Sequence, residues 1–142
     1  MDFAKNHLKI GPFATYDFFG DGSLYLLDTP GHAVSHMSGL AHTTTNPDIF
    51  ILLSSNLVRH GGELRPSRAA PFPVDVQDRY RCPSDISRPC PGAAELLALN
   101  AALGRDPDGP ALESAIFTNF SEALNSIVRA QVADARQDIF VL

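Results

Sequence analysis

Asp21-Gly22-Ser23-Leu24-Tyr25-Leu26-Leu27-Asp28-Thr29-Pro30-Gly31-His32-Ala33-Val34-Ser35-His36 carries the strongest pattern in this chain. Gly20-Asp21-Gly22 is a hairpin signal, so residues 13–19 before it and Leu24–Asp28 after it are expected to be paired strands. Thr29-Pro30-Gly31-His32 follows the second strand directly. His32 therefore falls in a tight turn at a strand's C-terminal end, where a rigid scaffold holds side chains open to a cleft. Gly31 permits the sharp turn and Pro30 fixes its approach. A neutral imidazole so placed suits zinc, its second nitrogen oriented by an outer acceptor. Taken alone, a turn histidine bonded to backbone is the simpler reading of His32. His36 follows four residues later. On a helix that spacing sets both rings on one face for one metal. Pro30-Gly31 and the β-type residues that follow disfavour a helix, so metal binding shared by His32 and His36 is not expected.

Outward from this stretch, residues 34–45 carry His, Ser and Thr and are expected to form a more exposed strand. Asp48–Leu53 is an apolar run between Asn46-Pro47 and Ser54-Ser55-Asn56, read as a strand buried on both faces. Residues 61–92 hold six of the 11 prolines (66, 71, 73, 83, 89 and 91), so regular structure is not expected there. Loops of that length are functional or disordered. The last third reads as helical. Residues 93–103 space Leu96, Leu99 and Leu103 helically, with Gly104 at the C-terminal cap. Residues 120–136 align Phe120, Leu124, Ile127, Val128 and Val132 on one stripe, expected to be core. Asn119 with Glu122 resembles a capping box. Asp134, Arg136 and Asp138 read as a solvated face, and residues 138–142 as a final strand.

The composition is that of a folded globular domain: 142 residues, 44% hydrophobic and 19% charged. Eleven Lys and Arg against 16 Asp and Glu give a net charge of -5, which argues against nucleic-acid binding through phosphate contacts. The apolar run Ile49-Phe50-Ile51-Leu52-Leu53 falls far short of the roughly 20 residues of a membrane span. The N-terminal residues contain no apolar segment of a secretory signal, so a cytoplasmic location is expected. Cys82 and Cys90 are expected to be free thiols, their spacing being wrong for a zinc knuckle. His42 and His60 read as surface histidines. Ser54 and Ser55 lack the glycine elbow of a serine nucleophile.

Residues 8–67 together resemble the metallo-β-lactamase superfamily, the group that includes glyoxalase II and the acyl-homoserine lactonases. Leu24–His36 resembles the family's strand and its T-P-G-H-x-x-x-H motif, whose first histidine binds zinc. Phe50-Ile51-Leu52-Leu53-Ser54-Ser55-Asn56 is similar to the strand ending in Gly-Asp, whose aspartate bridges two metals. His60-Gly61-Gly62-Glu63-Leu64-Arg65-Pro66-Ser67 resembles the segment after it in a lactonase-like branch. The resemblance implies His32 and Asn56 as the metal-site positions, zinc as the cofactor, and a small-molecule substrate.

The departures are specific. The family's H-x-H-x-D-H is absent upstream, where His7 is the only histidine before His32. Asn56 stands for the bridging aspartate, and neutral Asn holds dications more weakly than a carboxylate. The last family histidine follows a strand like residues 138–142 and has no counterpart. The expected fold is α/β, a part of the four-layer αββα sandwich. It comprises strands within 13–53, a proline-rich loop, helices near 93–103 and 120–136, and the strand 138–142. Residues 1–142 form one domain, expected to be incomplete and to self-associate. Two functions compete. One is a zinc-dependent hydrolase of a lactone or ester bond, truncated or inactive as it stands. The other is a non-catalytic remnant serving as a binding or interaction module. Whether the chain is itself an enzyme stays open at this level.

Overall fold

The computed structural model describes residue 3 and residues 7–71, 93–107, 109–113 and 117–142. Cys82, Cys90 and most of the proline-rich segment lie outside the described residues. Six strands form one mixed sheet in sequence order: β1 (Lys9–Ile10), β2 (Phe13–Asp17), β3 (Leu24–Asp28), β4 (Met37–Thr45), β5 (Asp48–Leu53) and β6 (Ile139–Val141). Successive strands from β1 to β5 are antiparallel, and β6 adds in parallel to β5. Among the described residues two α-helices accompany the sheet, α1 (Ala93–Ala102) and α2 (Phe120–Asp134). The α/β class is as expected.

The first hairpin ends earlier than residues 13–19 imply. Both Asp17 carboxylate oxygens accept backbone N–H bonds, from Gly20 at 2.9 Å and Gly22 at 3.0 Å. That clasp closes the turn, with Gly20 and Gly22 at φ +77° and +78°, where glycine alone is unstrained. Phe18 and Phe19 are left exposed, edge to face. β4 starts at Met37, not at residue 34, and its Ser38 and Leu40 are buried where exposure was expected. Within 61–92, Gly61–Glu63 forms one 3-10 turn.

Cross-strand pairing sorts the side chains into two faces. Tyr25, Leu40, Leu52 and Val141 form one row, beside Phe50 and Ile139. Together with Phe13, Leu27, Leu57 and Leu64 they pack against Ile127, Ala130 and Ala133 of α2. The opposite face is also apolar, with the rows Leu24–Ala41–Ile51–Phe140 and Leu26–Gly39–Leu53. Among the described residues nothing seals it: Phe140 is 58% and Leu53 45% exposed. β5 is therefore buried on one face, which corrects the expectation of two. Leu52 is fully buried while its neighbour Leu53 is not.

The first helix keeps its expected cap, and the second departs from its expected core stripe. α1 ends with Leu103 N–H bonded to Leu99 and Gly104 at φ +68°, the expected cap. Its leucines do not make a core stripe, since Leu99 and Leu103 are exposed and the buried residue is Asn100. The Asn100 amide donates to the carbonyls of Pro107 and Gly109 instead. α2 stops at Asp134, short of residue 136, and Asn119 caps it by accepting from Glu122 N–H at 3.3 Å. Its buried face is Ala123, Ser126, Ile127, Ala130, Gln131 and Ala133, not the large-residue stripe. Phe120, Val128 and Val132 point outward and only Ile127 of the expected set is core. The cause is close approach: Gly31 lies directly on Ala123, where even one added Cβ would collide with the helix backbone.

Asp134 is not part of a solvated face. Its side chain is 10% exposed and takes a two-pronged bond from Arg65, at 2.6 and 3.1 Å. That carboxylate raises the Arg65 guanidinium above its ordinary pKa, chiefly through the hydrogen bond. Arg136 and Asp138 pair with each other at the exposed surface, as expected.

Candidate functional site

β3 and β5 both run antiparallel to β4, and β6 runs parallel to β5. The C-terminal ends of β3, β5 and β6 therefore meet at one end of the sheet. Thr29-Pro30-Gly31-His32 leaves the first, Ser54-Ser55-Asn56 the second, and Leu142 the third. A ladder of buried hydrogen bonds ties these ends together. Thr29 Oγ1 lies 3.0 Å from Ser38 Oγ, which donates to the Ser54 carbonyl at 3.2 Å. Ser54 in turn donates to the Leu142 carbonyl from its hydroxyl at 2.6 Å and from its N–H at 2.8 Å. Thr29, Ser38 and Ser54 are all buried, so this polar chain replaces bonds that water cannot supply.

The histidine loop is anchored from the other side by the start of α2. The carbonyl of Pro30 accepts from the Ser126 hydroxyl, that of Gly31 from Asn119 N–H, and that of His32 from Thr118. Gly31 at φ +127° is the residue that admits this contact. The loop closes on itself through Thr29 N–H to the His36 carbonyl, with Ser35 in the left-handed region at φ +59°.

The two imidazoles meet without a helix. Their ring centres are 5.6 Å apart and nearly perpendicular. His36 Nδ1 lies 3.0 Å from both the carbonyl and the hydroxyl of Thr29. His36 Nε2 is buried and has no hydrogen-bond partner among the described residues. His32 is half-buried, its Nδ1 3.3 Å from Arg59 Nη2, with Phe117 edge-on to its ring. Arg59 is held by Glu63, whose buried carboxylate accepts from Arg59 N–H at 2.7 Å and from His60 N–H at 3.4 Å. The second oxygen of Glu63, like His36 Nε2, is unpartnered among the described residues.

Asn56 sits exposed on the 3-10 turn Ser55–Leu57 that follows β5. His32 and Asn56 thus share an end of the sheet. Among the described residues no group of three or more His, Cys, Asp or Glu side chains is placed to hold a metal ion. His42 stacks on Phe50 and bonds Asp48, and His60 caps its own turn by accepting from Gly62 N–H. An apolar cavity of about 250 Å³ lies elsewhere, between Phe13, Leu40 and Phe50 of the sheet and Val132 of α2.

Arg59, Glu63 and the Thr29–Ser38–Ser54 ladder were not singled out from the sequence. A signal for Glu63 was present in His60-Gly61-Gly62-Glu63, whose spacing is that of a capping box. Nothing local marks Arg59, because its partner is 27 positions away.

No protein-family model matches the chain, and no solved structure matches it. Curated proteins do. A gamma-lactamase of Gibberella moniliformis is 47% identical over 106 residues, 72% of this chain and 41% of the relative. A gamma-lactamase of Fusarium pseudograminearum is 40% identical over 140 residues, 94% of this chain and 32% of the relative. A metallo-hydrolase of Annulohypoxylon moriforme is 39% identical over 139 residues, 95% of this chain and 34% of the relative. The chain belongs to the metallo-β-lactamase superfamily. It spans between 32% and 41% of the length of these relatives. In this superfamily member, the loop of the T-P-G-H motif is clamped between a polar ladder and a helix N-terminus. No helix among the described residues is long and apolar enough to cross a membrane.

Proposed function

We propose that this chain is the motif-bearing part of a metallo-β-lactamase-type hydrolase that opens a small cyclic ester or amide. The carrying observation is the convergence of the His32 loop, the Asn56 turn and the end of β6 at one anchored end of the sheet. The names of the relatives, gamma-lactamase and metallo-hydrolase, support the bond class and a metal. Zinc, when bound, supplies a water acidified to a pKa of about 7. His32 and Asn56 are this chain's positions for that site. Alone they are too few donors, so the remaining ligands belong to sequence outside these residues, and this chain by itself is expected to be inactive.

The uncovered face of the sheet supports an incomplete domain. Its rows from Leu24 to Phe140 and from Leu26 to Leu53 are what a second sheet of an αββα sandwich would cover. Exposed alone, they favour self-association. The substrate is a small molecule and the setting cytoplasmic. An acidic chain of net charge -5 does not favour nucleic acid.

The test begins with the genomic sequence on both flanks. A frame encoding H-x-H-x-D-H upstream and a further histidine turn downstream should yield a protein that opens a γ-lactam or lactone in a zinc-dependent manner. His32→Ala should abolish turnover in that protein. Absence of both flanking elements would instead support the non-catalytic binding module, a reading that the Arg59 contact on His32 favours.

A further inference from the structure

We propose that the cavity under the C-terminal end of α2 is a binding site for a small uncharged aromatic molecule, separate from the histidine loop. Its origin lies in how α2 meets the sheet. Near the helix N-terminus Gly31 sits against Ala123 with no room for one further carbon. Val132 lies about 14 Å further along the helix axis, and there the fit is loose. Ala130 and Ala133 turn inward while Val128 and Val132 point out. Alanines do not fill the space over Phe13, Leu27, Leu40 and Phe50, and about 250 Å³ is left between sheet and helix. Close-packed interiors hold few voids larger than a water molecule. An apolar cavity of about 150 Å³ already stays dry and takes up benzene.

Both aromatic walls are braced in place. The Arg129 guanidinium sits over the Phe13 ring, 6.0 Å from its centre. His42 stacks on Phe50 with ring centres 4.4 Å apart and planes 13° from parallel, and is itself tied to Asp48 at 3.0 Å. Neither Arg129 nor His42 lines the cavity, so the rings are held without filling the space they border. Fixed rings offer faces and edges to a third ring at little entropic cost. The charged groups at the cavity are Arg136 and Asp138, and they bond each other at 2.8 and 2.6 Å. With those charges matched, an ionic ligand finds no counter-ion and would be costly to bury among hydrocarbon. Arg136 has five N–H donors and spends two on Asp138, which leaves a donor for one hydroxyl or carbonyl substituent. Val132 and Arg136 are both exposed, so the way in passes between helix end and solvent. The ligand class is a single aromatic ring with a short neutral substituent.

The inference depends on neither the metal nor the hydrolase reading. Its test is titration of the chain with benzyl alcohol, followed by methyl NMR, with benzoate and benzylammonium as charged counterparts. Benzyl alcohol should saturate one site and shift the methyl signals of Leu27, Leu40 and Ile139. The two ions should bind about tenfold more weakly or worse. Ala133→Leu, which fills the cavity from the helix, should weaken benzyl alcohol about tenfold or more. Val132→Phe, at an exposed position that leaves the core unchanged, should do the same by blocking the mouth. Leu53→Ser, on the opposite face of the sheet, should alter affinity by less than about twofold. A response confined to Leu24 and Leu53 and lost in Leu53→Ser would overturn the proposal, as would no saturable binding or equal affinity for all three probes. Affinity unchanged in both Ala133→Leu and Val132→Phe, with the fold intact by circular dichroism, would do so too. So would a longer frame of this protein in which the Leu27, Leu40 and Ile139 methyls no longer respond, since the domain's own side chains would then fill the space.

Discussion

Leu52 and Leu53 are neighbours on β5, alike in chemistry and opposite in fate. Leu52 faces α2 and is 0% exposed, while Leu53 faces away and is 45% exposed. The same division runs across the sheet. One face is closed by a helix that presents small side chains, and the other carries rows of aliphatic and aromatic residues with nothing packed on them among the described residues. Both faces have the hydrophobicity of a core. What separates them is whether another layer is present. Apolar sequence marks surface that can be buried, and only a partner layer makes it a source of stability.

Five measurements break or sharpen this contrast. Leu52→Ala should show the largest effect, destabilising the chain by about 2–5 kcal/mol through lost burial and a cavity. Leu53→Ser, by chemical denaturation, should change stability by less than about 1 kcal/mol while reducing self-association in sedimentation. An equal loss for the two would show that the second face is packed. Gly31→Ala tests the junction on the closed face. The added methyl meets the α2 backbone at a φ that disfavours alanine, so a loss of roughly 1–3 kcal/mol and earlier exchange of α2 amides are expected.

The Arg65–Asp134 clasp is smaller in effect. Asp134 is largely buried but Arg65 is 65% exposed, and solvent screening should hold the cost of Arg65→Ala to about 1 kcal/mol or less. Smallest is the pH response of the Arg136–Asp138 pair, beyond the sheet's edge. Hydrogen bonds from Arg136 hold the Asp138 carboxyl below its ordinary value of 3.8. Its contribution is therefore present above that value and disappears as pH falls through the lowered one. Melting temperatures of the chain and of Asp138→Asn should converge in that acid range. A difference that persisted at still lower pH would show that the pair is not responsible.

Much of the layout was legible from residue order. Alternation, turn dipeptides and caps located β3 and β5 to the residue, because they are local and each is enforced by its own backbone chemistry. Asn119 and Gly104 marked helix ends for the same reason. The buried face of α2 was not legible. Leu124, Val128 and Val132 outweigh alanines on any hydrophobic scale, yet the helix turns Ala123 and Ala130 inward because Gly31 comes so close. Hydrophobicity along a helix reports what would gain from burial, and steric closeness decides what fits.

The candidate site divides in the same way. Thr29-Pro30-Gly31-His32 identified the superfamily and the loop, since a strand end followed by Pro-Gly is a local instruction. That His36 would face His32 without a helix was not expected from the four-residue spacing. The contact arises from a turn at Ser35 and a bond to Thr29. Arg59 reaching His32 and Ser54 reaching Leu142 join residues 27 and 88 positions apart. By itself the sequence determined the strands, the caps, the acidic surface and the family. Tertiary structure alone decided which apolar face is covered, which imidazole nitrogen is bare and which charge stands beside the other ring. Those depend on distances across the fold, and chain order does not encode distance until the layers have packed.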